Sequence, residues 1–273
     1  MRSEGLAYVL GHTKEELVRL ETQAAIFEEP TEEVLKRAGI REGMRVLDLG
    51  CGAGDVSMSA ARMVGPTGSV LGVDVAEEAL ATARSRADAA GLGWLQFEQA
   101  DIGAFTIDGE FDAIIGRFIL MHVADPVAVI RAAKERLAPG GALAFIEMDV
   151  GTASAVPELP LLDQCVRWMV ELYQRSGAEP NMGSHLYGAF RAAGLTPEMN
   201  GHCRVEAGPD ITAPEYMANT IRIVAPNLER LGVVQGAEIE VDTLAERLRE
   251  AAIAGDHCII FPRLIGAWVP AQR

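Results

Sequence analysis

RVLDLGCGAGDVS, from Arg45 to Ser57, is the stretch whose reading decides the fold. Val46, Leu47 and Leu49 read as a buried strand, glycine stands at 50, 52 and 54, and a helix is expected from about Asp55. Glycine at alternate positions lets the backbone turn sharply and lets a ligand approach where a Cβ would collide. The helix that follows aims its free N–H groups into the same space. Strand, glycine turn and helix in this order predict a nucleotide-type pocket. A dinucleotide turn, G-x-G-x-x-G, uses its third glycine for close helix packing and its helix N-terminus for a pyrophosphate. Counted from Gly50, that third position is Asp55, an acid that would repel a diphosphate. The spacing here is instead D-x-G-x-G-x-G, from Asp48 to Gly54.

Size and composition bound the rest. A chain of 273 residues, 49% hydrophobic, is long enough for a full α/β core with a small appendage. A net charge of −15 argues against a nucleic-acid surface, which needs a basic stripe to displace counterions, and favours a small-molecule partner. Cys51, Cys165, Cys203 and Cys258 are far apart, with no C-x-x-C pair and no zinc spacing, so neither a disulfide framework nor a metal is expected. Reduced, cytoplasmic thiols are the plain reading. The first residues, MRSEGLAYVLGHTKEEL, hold no apolar signal core, and no later run approaches the roughly 18 apolar residues of a membrane span.

Along the chain, Thr13 with Glu16 forms a capping box, and Leu17, Leu20, Ala24 and Phe27 recur at helical spacing, predicting a helix from Thr13 to Phe27. Pro30 and Thr31 are expected to open a second helix that Gly39 closes. Tyr8, Gln23 and Phe27 could reach a bound ligand if this segment folds over the pocket as a lid, or could pack against the sheet. A second strand, Ser69 to Val73, ends at Asp74, about 20 residues past the glycine loop, where an acid can accept from both hydroxyls of a ribose. Asp74 could equally cap the next helix. Asp101 and Ile102 follow a third strand, Trp94 to Phe97; the acid either faces the same cleft as an acceptor for an adenine amino group, with Ile102 flanking the ring, or is a solvent-exposed turn acid. The fourth strand, Glu110 to Arg117, is expected beside the first, next to the switch point where such folds bind ligands. The segment after it, from Phe118 through Met121 and His122, borders ligand and acceptor; His122 is either a pocket base or a packing histidine. Ala138-Pro139-Gly140-Gly141 predicts a tight turn that delivers a fifth strand, Ala142 to Met148.

Motif I at 46–57, the acids Asp74 and Asp101, the segment FDAIIGRFILMHV and L-x-P-G-G-x-L before a strand stand in the order of the class I S-adenosylmethionine (SAM) dependent methyltransferases, which residues 42–150 resemble. The opening Tyr8-Val9-Leu10-Gly11-His12-Thr13, with Glu16-Leu17, is similar to a group of bacterial small-molecule methyltransferases with a C-terminal helical cap. The resemblance implies a Rossmann-like, seven-stranded, mostly parallel sheet with an antiparallel last strand, helices on both faces and helical cap insertions. It implies a lid at 1–41, a SAM-binding core at 42–150, and at 151–273 the remaining sheet with a cap at about 207–256. SAM carries an ammonium and a sulfonium and no phosphate, so acids at the turn suit it. By this resemblance Asp48, Gly50 and Gly52 line the methionine moiety, Asp74 the ribose, and Asp101 with Ile102 the adenine. Arg117 would offer its carbonyl to the ammonium, and Gln23, Val75 and Phe118 complete the cofactor contacts.

Beyond Val150 the expected elements are a helix from Leu159 to Arg175 with Cys165, Trp168, Met169 and Leu172 on one face, a helix from Ser184 to Ala193, and a strand from Glu198 to Glu206. Helices at 212–231 and 237–254 and a last strand from His257 to Val269 follow. Tyr216, Met217, Ile221, Ile223 and Val224 suit a hydrophobic or aromatic acceptor, or a dimer interface. Methyl transfer requires nucleophile, methyl carbon and sulfur to be held in line, so acid or base groups are optional. If the acceptor must lose a proton, the candidate bases are His122, Glu147 and Asp149, with His185 and Tyr8 reachable from cap and lid. Met121 is a substrate-contact candidate. Glu147 and Asp149 point to the same side of a strand, which fits either a paired site or a solvated strand end. Two alternatives stay open: a protein that keeps SAM without methylating, and a nicotinamide oxidoreductase.

Overall fold

The computed structural model describes residues 14–102 and 109–271, with side chains from Ile26 onward apart from Ala237. In chain order the elements are α1 (Lys14–Ala38), β1 (Arg45–Leu49), α2 (Asp55–Val64), β2 (Ser69–Asp74), α3 (Glu77–Ala89), β3 (Leu95–Gln99) and β4 (Phe111–Arg117). A 3-10 turn, Leu120–His122, leads to α4 (Pro126–Glu135), β5 (Leu137–Asp149), β6 (Ser154–Val156), α5 (Pro160–Ser176), α6 (Met182–Ala192), β7 (Glu198–His202) and β8 (Val205–Glu206). The chain ends with α7 (Ala213–Arg230), α8 (Gly236–Ile239), α9 (Leu244–Ala254), β9 (Cys258–Ile260) and β10 (Arg263–Val269).

Seven strands form one sheet in the order β3-β2-β1-β4-β5-β10-β7, mostly parallel with the last strand antiparallel. β1, β4 and β5 read as buried apolar runs, as strands covered on both faces must, whereas the edge strand β3, LQFEQ, alternates buried and exposed positions. Val46, Leu47 and Leu49 are fully buried, as are Ile114 in β4 and Leu143 and Phe145 in β5. The chain steps outward from β1 to β3 and then returns to place β4 on the other side of β1. Because parallel crossovers are right-handed, this reversal sets α2 and α3 on one face and α4 on the other. It also opens a crevice at the C-terminal ends of β1 and β4.

The described chain divides into two compact units. The sheet unit comprises Phe27–Glu147, Met182–Gly201 and the residues from Ile265. The second unit comprises the residues up to Ile26, Met148–Asn181 and His202–Leu264. It holds α5, α7, α8 and α9, and a three-stranded antiparallel sheet in the order β6-β9-β8. The expected α5 stripe of Cys165, Trp168, Met169 and Leu172 is buried there. Ile221 and Val224 of α7 are also fully buried.

Several elements differ from expectation. The two N-terminal helices are one, with Pro30 inside α1. Proline removes one helical donor, and the next residue restores a bond locally, since the Thr31 hydroxyl donates to Phe27 O at 2.6 Å. Gly39 does end the helix: at φ 87° it lets Ile40 N reach Leu35 O and Gly39 N reach Lys36 O. The 1–41 segment is therefore not one lid, because its residues from Phe27 onward belong to the sheet unit, with Val34 and Leu35 fully buried. The Pro139-Gly140-Gly141 turn lies inside β5, where pairing jumps from Phe111↔Leu137 to Ala113↔Ala142. The additional residues are taken up as a bulge that bends the strand without reversing it. The stretches at 198–206 and 257–269 each split between the two sheets. The helix expected at 237–254 breaks at Glu240, which takes φ 47°.

Candidate active site

The glycines of the first loop differ in what surrounds them. Gly50 has φ 66°, and a Cβ there would lie 2.4 Å from Cδ1 of Ile119. Gly52 has φ 52° and, among the described residues, nothing within 4 Å of that position, so its open side is where a ligand can approach the backbone. At Gly54 an added Cβ would press on Phe97 and Ala83 at 3.0 and 3.1 Å, so the third glycine serves packing. The loop is tied from both sides. Cys51 N donates to Val73 O at 3.0 Å, and Gly52 N donates to Asp74 Oδ2 at 2.9 Å. From α3, Arg86 donates to Ala53 O and to Asp55 Oδ1, both at 2.7 Å.

Asp74 ends β2, and its Oδ1 accepts from Ala76 N at 3.0 Å. It does not cap α3, whose N-cap is Ala76. Each of its oxygens accepts one amide and retains capacity for a further donor. Asp48 lies beneath the loop, 1% exposed, and accepts from the Ser57 hydroxyl at 2.6 Å. Burial pushes its carboxyl up to about 7, against the Ser57 bond and the Arg117 charge, which pull it down. Asp55 is matched by Arg86 and burial holds Asp48 partly protonated near neutral pH, which leaves Asp74 as the acid next to Gly52.

Val75, more than half exposed, follows Asp74, and Gln99 Nε2 donates to its carbonyl at 2.8 Å. Asp101 is exposed and Ile102 buried, just past the end of β3, whose Gln99 pairs with Asp74. Arg117 ends β4; its guanidinium donates to Thr31 Oγ1 at 3.0 Å and stands 5.4 Å from the Phe118 ring centroid. Phe118 meets Phe27 edge to face, with ring centroids 5.5 Å apart. Phe27 thus packs in the sheet unit beside this segment, 3% exposed.

Met121 is buried in the 3-10 turn. His122 is half-buried, and desolvation lowers its imidazole to about 4, so it is neutral and weakly basic near neutral pH. Glu147 is fully buried. Its Oε1 accepts from Ile119 N at 2.9 Å and Leu120 N at 2.7 Å, while Oε2 has no hydrogen-bond partner among the described residues. Burial raises its carboxyl to about 8 although backbone amides of Leu120, Ile119 and Met121 favour the ionised form. In this position it holds backbone and does not face an acceptor. Asp149 does not form a pair with it at an open strand end; it is fully buried and bonded to Arg263 at 3.0 Å. His185 is exposed on α6. Tyr8 and the side chain of Gln23 lie outside the described residues. No group of three potential metal ligands occurs among the described residues.

Sequence reasoning missed Ser57, Arg86, Thr31 and Ile119. Ser57 was within reach, since it ends the glycine motif and an α-helical turn brings it back over Asp48. Arg86 and Thr31 arrive from elements whose docking no local pattern specifies.

A strand, an open glycine and an acid at the tip of the neighbouring strand are shared by several nucleotide-binding families, so the match over the whole core decides. A profile of the family described as "Methyltransferase domain" matches residues 40–194. The chain belongs to this methyltransferase family. It is 30% identical over 157 residues to a ubiquinone biosynthesis O-methyltransferase of Cereibacter sphaeroides, covering 57% of this chain and 62% of that one. It is 36% identical over 120 residues to the ubiquinone/menaquinone biosynthesis C-methyltransferase UbiE of Pseudomonas putida, covering 43% and 47%. The chain thus spans less than two thirds of the length of these relatives. The YcgJ protein of Bacillus subtilis shares the fold, with a TM-score of 0.55 at 20% identity over 90% of this chain and 100% of that one.

Proposed function

We propose that this methyltransferase-family chain moves the methyl group of SAM to an O, N or C nucleophile of a small hydrophobic or aromatic metabolite. The observation that carries the reading is the open face of Gly52 beside Asp74, in a loop whose nearby acids suit a cationic ligand. The residues present fit SAM: Asp74 has acceptor capacity left for ribose hydroxyls, Gly52 leaves room for the methionine portion, and an acid beside the loop favours a cationic ligand over a phosphate. Asp101 and Ile102 would hold the adenine, with Val75 at its edge, and Arg117 and Phe118 would close the methionine end. SAM supplies an electrophilic methyl on a sulfonium. The protein's part is to bind, align and exclude water. His122, neutral near neutral pH, can accept a proton that leaves as the new bond forms, but it is too weak a base to ionise a phenol or quinol beforehand.

Relatives named for ubiquinone and menaquinone biosynthesis, one acting on oxygen and one on carbon, support an aromatic acceptor. Four free thiols support a reducing cytoplasm, and no described helix is long and apolar enough to cross a membrane. The test is incubation with methyl-labelled SAM and a panel of catechols, demethylated quinols and aryl amines, followed by labelled product and S-adenosylhomocysteine. Labelled phenol or quinol ethers, or ring-methylated quinols, are expected, and Asp74→Ala should abolish them. Nicotinamide-dependent oxidation of the same compounds, indifferent to S-adenosylhomocysteine, would overturn the reading.

A further inference from the structure

The backbone leaving β4 turns where its sequence offers no help. Phe118 takes φ 56°, a left-handed conformation that a bulky side chain enters only when its surroundings force it. Three bonds force it here. Phe118 N donates to Ile146 O at 2.9 Å, and the next two amides both end on Glu147 Oε1. The two residues that hold the turn are consecutive on β5, so the strand acts as a template for it. The turn then delivers Ile119 into the space above two glycines. A Cβ at Gly50 would lie 2.4 Å from this side chain and one at Gly116 would lie 2.9 Å from it. Glycine loop and post-β4 turn are therefore interlocked through Ile119, and their common support is a carboxyl that solvent does not reach.

We propose that Glu147 is a positioning residue, whose Oε1 holds the strained Phe118 turn and seats Ile119 against Gly50, presetting the wall of the cofactor pocket. What matters is an acceptor oxygen at that point, not a negative charge and not a base. Among the described residues Oε2 has no hydrogen-bond partner, so a carboxamide, with its oxygen on the two amides, can replace the carboxyl, whereas a hydrocarbon of similar volume cannot. The inference rests on the SAM reading only for the identity of the ligand.

Glu147→Gln and Glu147→Leu separate the roles, with two readouts. Hydrogen exchange of the peptide spanning 118–121 reports the bonds themselves and needs no ligand. It should stay protected in the glutamine variant and lose protection in the leucine variant while β1 and β4 remain protected. Calorimetric titration with S-adenosylhomocysteine should give wild-type affinity for Gln, within about threefold, and a loss of about tenfold or more for Leu. Unprotected 119–120 amides in the glutamine variant, or full protection and wild-type affinity in the leucine variant, would overturn the proposal. Should the leucine variant not fold, the exchange result on the glutamine variant alone decides. If wild-type protein binds no adenosyl ligand, the SAM reading fails while exchange still decides the positioning role. A base at Glu147 would show as glutamine and leucine variants with equal loss of turnover and equal, intact exchange protection.

Discussion

The raised pKa of Glu147 makes stability depend on pH in a direction opposite to that of an ordinary paired carboxylate. In the unfolded chain this carboxyl releases its proton near 4.5; in the folded protein it holds it to about 8. Between these values the native state carries one more proton than the unfolded state, so stability falls as pH rises, by up to about 1.4 kcal/mol per pH unit. From about pH 5 to about pH 8 that amounts to roughly 3–4 kcal/mol for Glu147. Asp48, raised from 3.8 to about 7, acts in the same sense, and His122, lowered from 6.5 to about 4, acts oppositely up to about pH 6.5. Glu147→Gln removes one of the three contributions and leaves the others, so the comparison isolates it. The assay is urea unfolding of both proteins at several pH values in that window, followed by circular dichroism. Wild type should lose roughly 3–4 kcal/mol relative to the glutamine variant across the window. Two curves that stay parallel within about 0.5 kcal/mol would refute the reasoning and mean that Glu147 is ionised throughout.

The two glycines of the loop should fail in different ways. Gly50→Ala meets both a left-handed φ and the Ile119 side chain, and should destabilise the fold by about 2–4 kcal/mol in chemical denaturation. Gly52→Ala meets only the φ term, about 1 kcal/mol, yet should weaken S-adenosylhomocysteine binding more than tenfold because its methyl enters the open face. Asp74→Asn keeps acceptor oxygen for one amide and should weaken the same ligand less than Asp74→Ala, as calorimetry would show. If His122 takes the acceptor proton, kcat/KM should be flat above about pH 5 in this limb, and His122→Asn should lower its level without shifting the profile elsewhere.

The sheet core was legible because strong local signals and long-range order agree there. The glycine motif, the apolar runs of β1, β4 and β5 and the acids at the end of β2 and just past β3 each follow from short patterns, and their order fixes the switch point. Pro30 was misread because proline suits both the first turn of a new helix and, with Thr31 bonding back, the middle of an old one. Pro139-Gly140-Gly141 carries turn chemistry, but the pairing of Phe111 with Leu137 draws those residues into the sheet. The second unit was least legible. Its strands, β6, β8 and β9, have three, two and three residues, too short for an alternation to register. At the site, Glu147 read as a strand-end acid facing substrate because sequence shows which side of a strand a residue points to but not what fills that side. The amides of Ile119 and Leu120, 28 and 27 positions away, fill it.

Calorimetric titration of the cofactor-free protein with S-adenosylhomocysteine and with NAD, in wild type and Asp74→Ala, tests the central claim most directly. The account predicts tight binding of the adenosyl ligand, lost by about tenfold or more on substitution of Asp74, and no heat from NAD. Binding of NAD without S-adenosylhomocysteine would contradict it and assign the loop to a nicotinamide cofactor.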